Sequence, residues 1–283
     1  MLLNNKLIKF RLGSLLLLLC LYLQSCTQSP EVGSGQQKLI LTGASTVAPL
    51  VSALGKRFEE QNPGIRIDVQ TGGSSRGLAD VQQGLSDIGM VSRTLTDDEA
   101  VGMEVFVLGR DGISIIVHGD NPLTEITSKQ VKSISTGEIK NWQSLNKNDA
   151  PITFVHRAEG HSTLKKFLEY FGVNNSEVKA DVVIGDNQQG IKTVAGNPNA
   201  IGYVSIGAAE YSMQEGISIK LLALDGVEAT SEAVANGSFP LLRQLTLVTK
   251  GNPTGLAKQF ITFVQGEDNY DIVRLQKFVP PKN

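Results

Sequence analysis

Three times along this chain an apolar run stops at small residues and hydroxyls, then gives way to a helical pattern. The segments are "TGASTVAPL", "TGGSSRGL" and "HRAEGHSTL". A strand that turns on glycine into a helix, and does so repeatedly, favours parallel strands joined by crossover helices. "KLILTGA" reads as a strand. "STVAPLVSALGKRFEEQNPG" reads as a helix capped by Ser45 or Thr46 and stopped at "NPG". "IRIDVQTGG" is a second strand, "SSRGLADVQQGLS" a second helix and "DIGMVS" a third strand with an apolar centre. The rhythm predicts an α/β fold with mainly parallel sheets flanked by helices.

The later chain continues the pattern. "EVFVLGRDGISIIVHGDNPL" holds two strand-like runs, "APITFVHRAEG" leads into another helix, and "PLLRQLTLVTKGNP" gives a long late strand before the helix "TGLAKQFITFVQ". With 283 residues, of which 41% are hydrophobic and 19% charged, the chain can bury one large core or two medium ones. The element lengths predict two lobes. Residues 38–117 form the first, residues 118–240 the second, and the tail 241–283 returns to the first. Two crossings between lobes would make a hinged cleft.

The first 37 residues read differently. Lys6, Lys9 and Arg11 precede the apolar run Leu12 to Leu23, which is short for a membrane span and fits a secretory signal over residues 1–25. The run closes on "LQSC", which resembles a bacterial lipobox, with Cys26 as the lipidated first residue of the mature chain. Residues 26–37, polar and Gly/Ser-containing, then form a flexible tether. Cys20 would leave with the signal, so no disulfide or cysteine-based metal site is expected. The expected location is the extracytoplasmic or periplasmic face, anchored to the membrane by lipid. A formal net charge of −2 argues against a nucleic-acid partner.

The chemistry concentrates at the three turns. Helix starts present unpaired N–H groups and the positive end of a dipole, which suit an oxyanion. The hydroxyls there, Ser45, Thr46, Ser74, Ser75, Ser162 and Thr163, could be ordinary N-caps or short donors to a ligand. Arg157 adds information, because it ends an apolar strand beside the third helix start. A guanidinium can grip an oxyanion with two bonds, or it can form a weak exposed pair with Glu159. No Gly-x-Ser-x-Gly elbow, Walker loop or helical histidine pair occurs, so no catalytic residue, metal or cofactor is assigned. The three histidines are His118, His156 and His161, and only His161 adjoins hydroxyls.

"LTGASTVAPL", "QTGGSSRGL", "SDIGMVSR", "STGEIKNW", "HRAEGHST" and "LLRQLTLVTKGNP", in that order, resemble the periplasmic phosphate-binding proteins of ABC-type phosphate transporters, over residues 38–283. The resemblance implies the two-lobed periplasmic-binding-protein fold (type II), closing on one inorganic phosphate. It also implies a phosphate permease with its ATPase as partner, a monomeric carrier and no enzymatic activity. It places phosphate ligands at Ser45, Thr46, Ser74, Ser75, Arg157, His161, Ser162 and Thr163, with Arg157 the single guanidinium and Glu159 orienting it. Two departures stand out. His161 replaces a serine. Where better-known members carry an aspartate after the third strand, this chain has Ser92 and Arg93, while Asp87 lies before the strand. The Ser92 hydroxyl can accept a ligand proton in place of the carboxylate. Arg93 either adds charge to the cleft or faces solvent. The rival readings are a phosphate-ester hydrolase and an adhesion or signalling lipoprotein on the same fold.

Overall fold

A computed structural model describes residues 36–145 and 147–281. The signal segment and Cys26 lie outside the described residues. Among the described residues no helix is long and apolar enough to cross a membrane.

The chain opens with β1 (Gln37–Gly43), α1 (Ala48–Gln61), β2 (Ile65–Thr71), α2 (Ser74–Gln83), β3 (Ile88–Val91), α3 (Asp97–Ala100) and β4 (Met103–His118). It continues through β5 (Glu125–Ile126), α4 (Ser128–Ser135), β6 (Thr153–Arg157), α5 (Ser162–Phe171), β7 (Val182–Ile184), α6 (Asn187–Ala195) and β8 (Ala200–Ser205). It closes with α7 (Ile206–Gln214), β9 (Ile219–Leu221), β10 (Ala223–Leu224), α8 (Ser231–Asn236), β11 (Leu242–Lys250), α9 (Gly255–Gln265) and α10 (Tyr270–Leu275).

The strands run in the order β2-β1-β3-β11-β4-β8-β6-β7, with β9 also pairing β4. β1 and β3 are parallel, and so are β6, β7 and β8. The alternation in "LILTG" puts Leu39 and Leu41 into a core with Leu50, Val51, Leu54 and Phe58 of α1. The apolar stripe of α1 recurs at helical spacing, so one face of that helix is buried against the strands. A second core gathers Ile113, Ile115, Phe154, Phe167 and Tyr203, with the Phe167 and Tyr203 rings stacked at 4.0 Å. A third, on the other sheet face, joins Ile116, Val155, Ile191 and Val204.

Strand β4 is common to all three cores, with Leu108 in the first, Ile113 and Ile115 in the second and Ile116 in the third. The two runs expected in its sequence form one strand of 16 residues. Met103–Gly112 pair with β11, and Ile113–Val117 pair with β8. Gly109 and Gly112 look like breaks in sequence, yet each sits where something presses on the strand. A Cβ at Gly109 would stand 2.7 Å from the Val279 carbonyl oxygen, and one at Gly112 would stand 2.5 Å from Ile206 Cδ1. The late strand β11 lies between β3 and β4, antiparallel to both. Leu241 packs in the second core and Leu245 in the first, so the chain passes from one core to the other at the start of β11.

Candidate functional site

The hydroxyl-bearing turns follow the carboxyl ends of β1, β2 and β6, where open α/β sheets place their ligands. The capping alternative fails at all three. α1 is capped by Val47, α2 by Gly73 and α5 by His161, none with a side-chain bond to the helix. By contrast Thr96, Thr127, Asp186, Ser205 and Thr230 each cap their helices by a side-chain oxygen. Ser74 and Ser162 are the first residues of α2 and α5, and their hydroxyls are free to turn inward.

They do, and they meet. Ser162 Oγ donates to Ser74 Oγ at 2.5 Å, and the Ser92 N–H donates to the same Ser74 oxygen at 3.2 Å. A few residues away lies a second network. Arg157 Nη2 donates to Asn187 Oδ1 at 2.6 Å, and Asn187 Nδ2 donates to Thr46 Oγ1 at 3.0 Å. Arg243 Nη1 donates to Thr163 Oγ1 at 2.8 Å and its Nη2 to Thr46 Oγ1 at 3.2 Å. Thr163 follows Ser162 in sequence, so the two networks adjoin. Thr46, Ser74, Ser92, Arg157, Ser162, Thr163, Asn187 and Arg243 are all buried.

Arg157 is 1% exposed, and its Nε and Nη1 have no hydrogen-bond partner among the described residues. A buried guanidinium with two unmatched donors is unfavourable unless an acceptor meets them. Burial lowers the Arg157 pKa to about 10, and the positive charge of Arg243 pushes in the same direction. An anion beside both guanidiniums would reverse that shift.

Four expectations change, and Ser92 gains a main-chain role beside the one expected of its hydroxyl. Glu159 does not hold the Arg157 guanidinium. It lies exposed past the strand end, and its carboxylate accepts from Asn175 Nδ2 at 2.9 Å. The residue that holds Arg157 is Asn187. Ser75 is also exposed, one helical step away from Ser74, and its N–H already bonds the Gly160 carbonyl oxygen at 3.3 Å. Arg93 neither charges the cleft nor faces solvent. It is buried against Glu99, with guanidinium–carboxylate distances of 2.5 and 2.6 Å, and its hydrogen bonds hold the Glu99 carboxyl down at about 2. The main chain of Ser92 enters the network as a donor to Ser74. Finally, Arg157 is not the only guanidinium of the site, because Arg243 donates to Thr163 and Thr46.

The remaining candidates border the network. Ser45 is half-buried and lines a cavity of about 430 Å³ with Thr46, Asp186 and Asn187. The His161 ring lies over Gly73, where an added Cβ would stand 3.2 Å from Nδ1. Burial and the nearby Arg157 charge lower its pKa, which favours a neutral ring. Asp87 bonds the Ile40 N–H at 2.7 Å, at the far end of the strand. Among the described residues no group of three or more His, Cys, Asp or Glu side chains could hold a metal ion.

A hydrogen-bonded chain supports Arg157 from behind. Asn175 gives its amide protons to Glu159, so its Oδ1 accepts from His156 Nε2 at 3.0 Å. That leaves His156 Nδ1 to accept from the Tyr203 hydroxyl at 2.9 Å, and the Tyr203 oxygen accepts the Arg157 N–H at 3.2 Å. Burial lowers the His156 pKa, in keeping with a neutral ring in this chain.

Asn187, Arg243 and Asp111 were not visible as site residues. Asn187 had a signal, since "IGDNQQG" repeats the strand, glycine, helix-start pattern with an amide in place of a hydroxyl. Arg243 and Asp111 stand inside strands β11 and β4, where nothing local marks them.

The family model for the PBP superfamily domain matches residues 28–268. The phosphate-binding protein PstS of Bacillus subtilis (strain 168) is 31% identical over 265 residues, covering 91% of this chain and 86% of its own. A structure from Clostridium perfringens, described as a phosphate ABC transporter substrate-binding protein with bound phosphate, aligns with a TM-score of 0.80 at 33% identity, covering 87% of this chain and all of that one (100%). An ABC-type phosphate transport receptor from Vibrio cholerae aligns with a TM-score of 0.69 at 28% identity, covering 86% of this chain and 100% of that one. Turns, fold and relatives agree: this chain belongs to the PBP superfamily, in the phosphate-binding branch of its PstS relatives.

Proposed function

We propose that this protein captures inorganic phosphate in the cleft between its lobes and delivers it to an ABC-type phosphate importer. The observation that carries the reading is Arg157, whose buried Nε and Nη1 have no hydrogen-bond partner among the described residues and lie beside inward-turned hydroxyls. A tetrahedral anion there receives two guanidinium bonds from Arg157 and hydroxyl protons from Thr46, Ser74 and Thr163. The amides that begin α2 and α5 add their dipoles. Contacts that bind only a dehydrated anion also favour lobe closure, since donors come from both lobes.

The rest of the reading follows from sequence. Residues 1–25 direct export, Cys26 carries the lipid, and residues 26–37 give the body reach from the extracytoplasmic face. We assign residues 38–117 and 241–283 to one lobe and 118–240 to the other, hinged where β4 and β11 pass between cores. The protein acts as a monomer and carries phosphate without transforming it. Calorimetric titration of the purified protein with phosphate tests the reading. Saturable one-to-one binding is expected, and no heat with phosphate, arsenate or sulfate would refute it.

A further inference from the structure

Arg243 lies outside the helix-start motifs, yet it is the most heavily bonded side chain of the site. Its Nε and Nη2 donate to Asp111 Oδ2 at 3.0 and 2.7 Å. Asp111 Oδ1 accepts the Gly207 N–H at 3.2 Å. Both residues are buried, so the pair is fixed and the carboxylate has both oxygens engaged. The outward edge of the guanidinium then fixes Thr46 and Thr163.

A threonine hydroxyl has two lone pairs and one proton. At Thr46 both lone pairs are filled by N–H donors, Arg243 Nη2 at 3.2 Å and Asn187 Nδ2 at 3.0 Å. The Asn187 amide cannot be reversed, because its Oδ1 already accepts from Arg157 Nη2. Thr46 has only its proton left to give. Ser74 repeats the arrangement, with its oxygen filled by the Ser92 N–H and the Ser162 hydroxyl. We propose that Arg243, locked by Asp111, is a positioning and specificity residue. It turns Thr46 into an obligatory donor and tunes the site to the dianion over the monoanion of its ligand, the two forms that the second ionisation of phosphate interconverts.

The inference rests on the phosphate reading but goes further, since it states which ionisation form is selected. The ionisable groups around the ligand position are Arg157 on β6, Arg243 on β11, Asp111 on β4, Tyr203 on β8, His161 before α5 and Asp186 before α6. Behind them, His156 lies against Tyr203. Their titration would alter the binding of any oxyanion, whereas of phosphate and sulfate only phosphate has its second ionisation near neutral pH. Sulfate, which loses no proton in that range, separates the two.

The test measures Kd for phosphate and for sulfate across the second ionisation of phosphate, by calorimetry on the full protein. The wild-type protein should bind phosphate more tightly as pH rises, while sulfate affinity stays level. Arg243→Lys keeps the charge against Asp111 but cannot fork to both threonines. It should weaken phosphate by about tenfold at the upper end of the range. At the lower end the loss should be smaller, which flattens the profile. The double variant Arg243→Gln with Asp111→Asn leaves the net charge unchanged and should flatten it likewise. Folded variants whose profiles parallel the wild type overturn the inference. So does wild-type phosphate affinity that falls as pH rises, a result that leaves phosphate binding itself intact. Wild-type protein that binds neither anion refutes the functional reading instead.

Discussion

Asn187 ties Arg157 to Thr46. Its Oδ1 accepts from the guanidinium at 2.6 Å and its Nδ2 donates to the hydroxyl at 3.0 Å. One amide thereby joins Arg157 at the end of β6 to Thr46 in the turn after β1, and sets the direction of both donors.

Replacing that amide should loosen both. In Asn187→Ala, the Arg157 guanidinium loses its one hydrogen-bond partner among the described residues, and Thr46 loses one of its two N–H donors. Hydrogen bonds to charged groups are worth roughly 1.5–3 kcal/mol, so phosphate affinity should fall about tenfold to a hundredfold. Titration calorimetry checks this, and an unchanged Kd would remove Asn187 from the site.

The contact between lobes makes a separate demand at Gly73. Its φ is 89°, and an added Cβ would stand 2.6 Å from the Gly160 carbonyl oxygen. Gly73→Ala should hold the two turns apart and weaken phosphate binding while the separate cores stay folded. X-ray scattering with and without phosphate should show less compaction than in the wild type. Full compaction and full affinity would contradict this.

Histidine burial gives the protein an acid limit. His156 and His161 have pKa values lowered by burial, so the folded state binds fewer protons than the unfolded chain below the ordinary histidine range. Their contribution to stability is complete above about pH 6.5 and is lost as pH falls below it. Thermal melts should therefore show Tm dropping more steeply with acid in the wild type than in His156→Gln. Equal acid slopes would show that His156 does not titrate on unfolding.

Arg93 and Glu159 should separate stability from binding. Arg93→Ala leaves the Glu99 carboxylate with the Thr96 N–H but no guanidinium, and should lower stability by about 1–3 kcal/mol, with phosphate affinity changed by no more than about twofold. Glu159→Gln, at an exposed position, should alter neither by more than about 0.5 kcal/mol. A large loss of affinity in either variant would place that residue nearer the ligand than its contacts indicate.

What could be read from sequence was whatever depends on local pattern. The turns at Thr46, Ser74 and Ser162 stood out as strand, glycine, hydroxyl and helix start, a pattern that ordinary N-caps share, so their ligand role came from the resemblance. Arg157 drew notice because it ends an apolar strand, while its role as a ligand came from the resemblance. The pairing of Arg243 with Asp111 was not legible, since it spans 132 positions and depends on β11 entering beside β4. Glu159 misled for the opposite reason. Nearness in sequence suggested a partner for Arg157, but beyond the strand end the chain turns and carries the carboxylate to Asn175. The continuous β4 was hidden by Gly109 and Gly112, whose role is to admit neighbouring atoms and not to break the strand.

The most direct measurement compares phosphate binding by the wild type and Arg157→Ala, with circular dichroism as the check on folding. Loss of a guanidinium that supplies two otherwise unmatched buried donors should weaken phosphate by about a hundredfold or more. The variant should keep the wild-type spectrum. A folded Arg157→Ala protein with wild-type phosphate affinity would contradict the account at its centre.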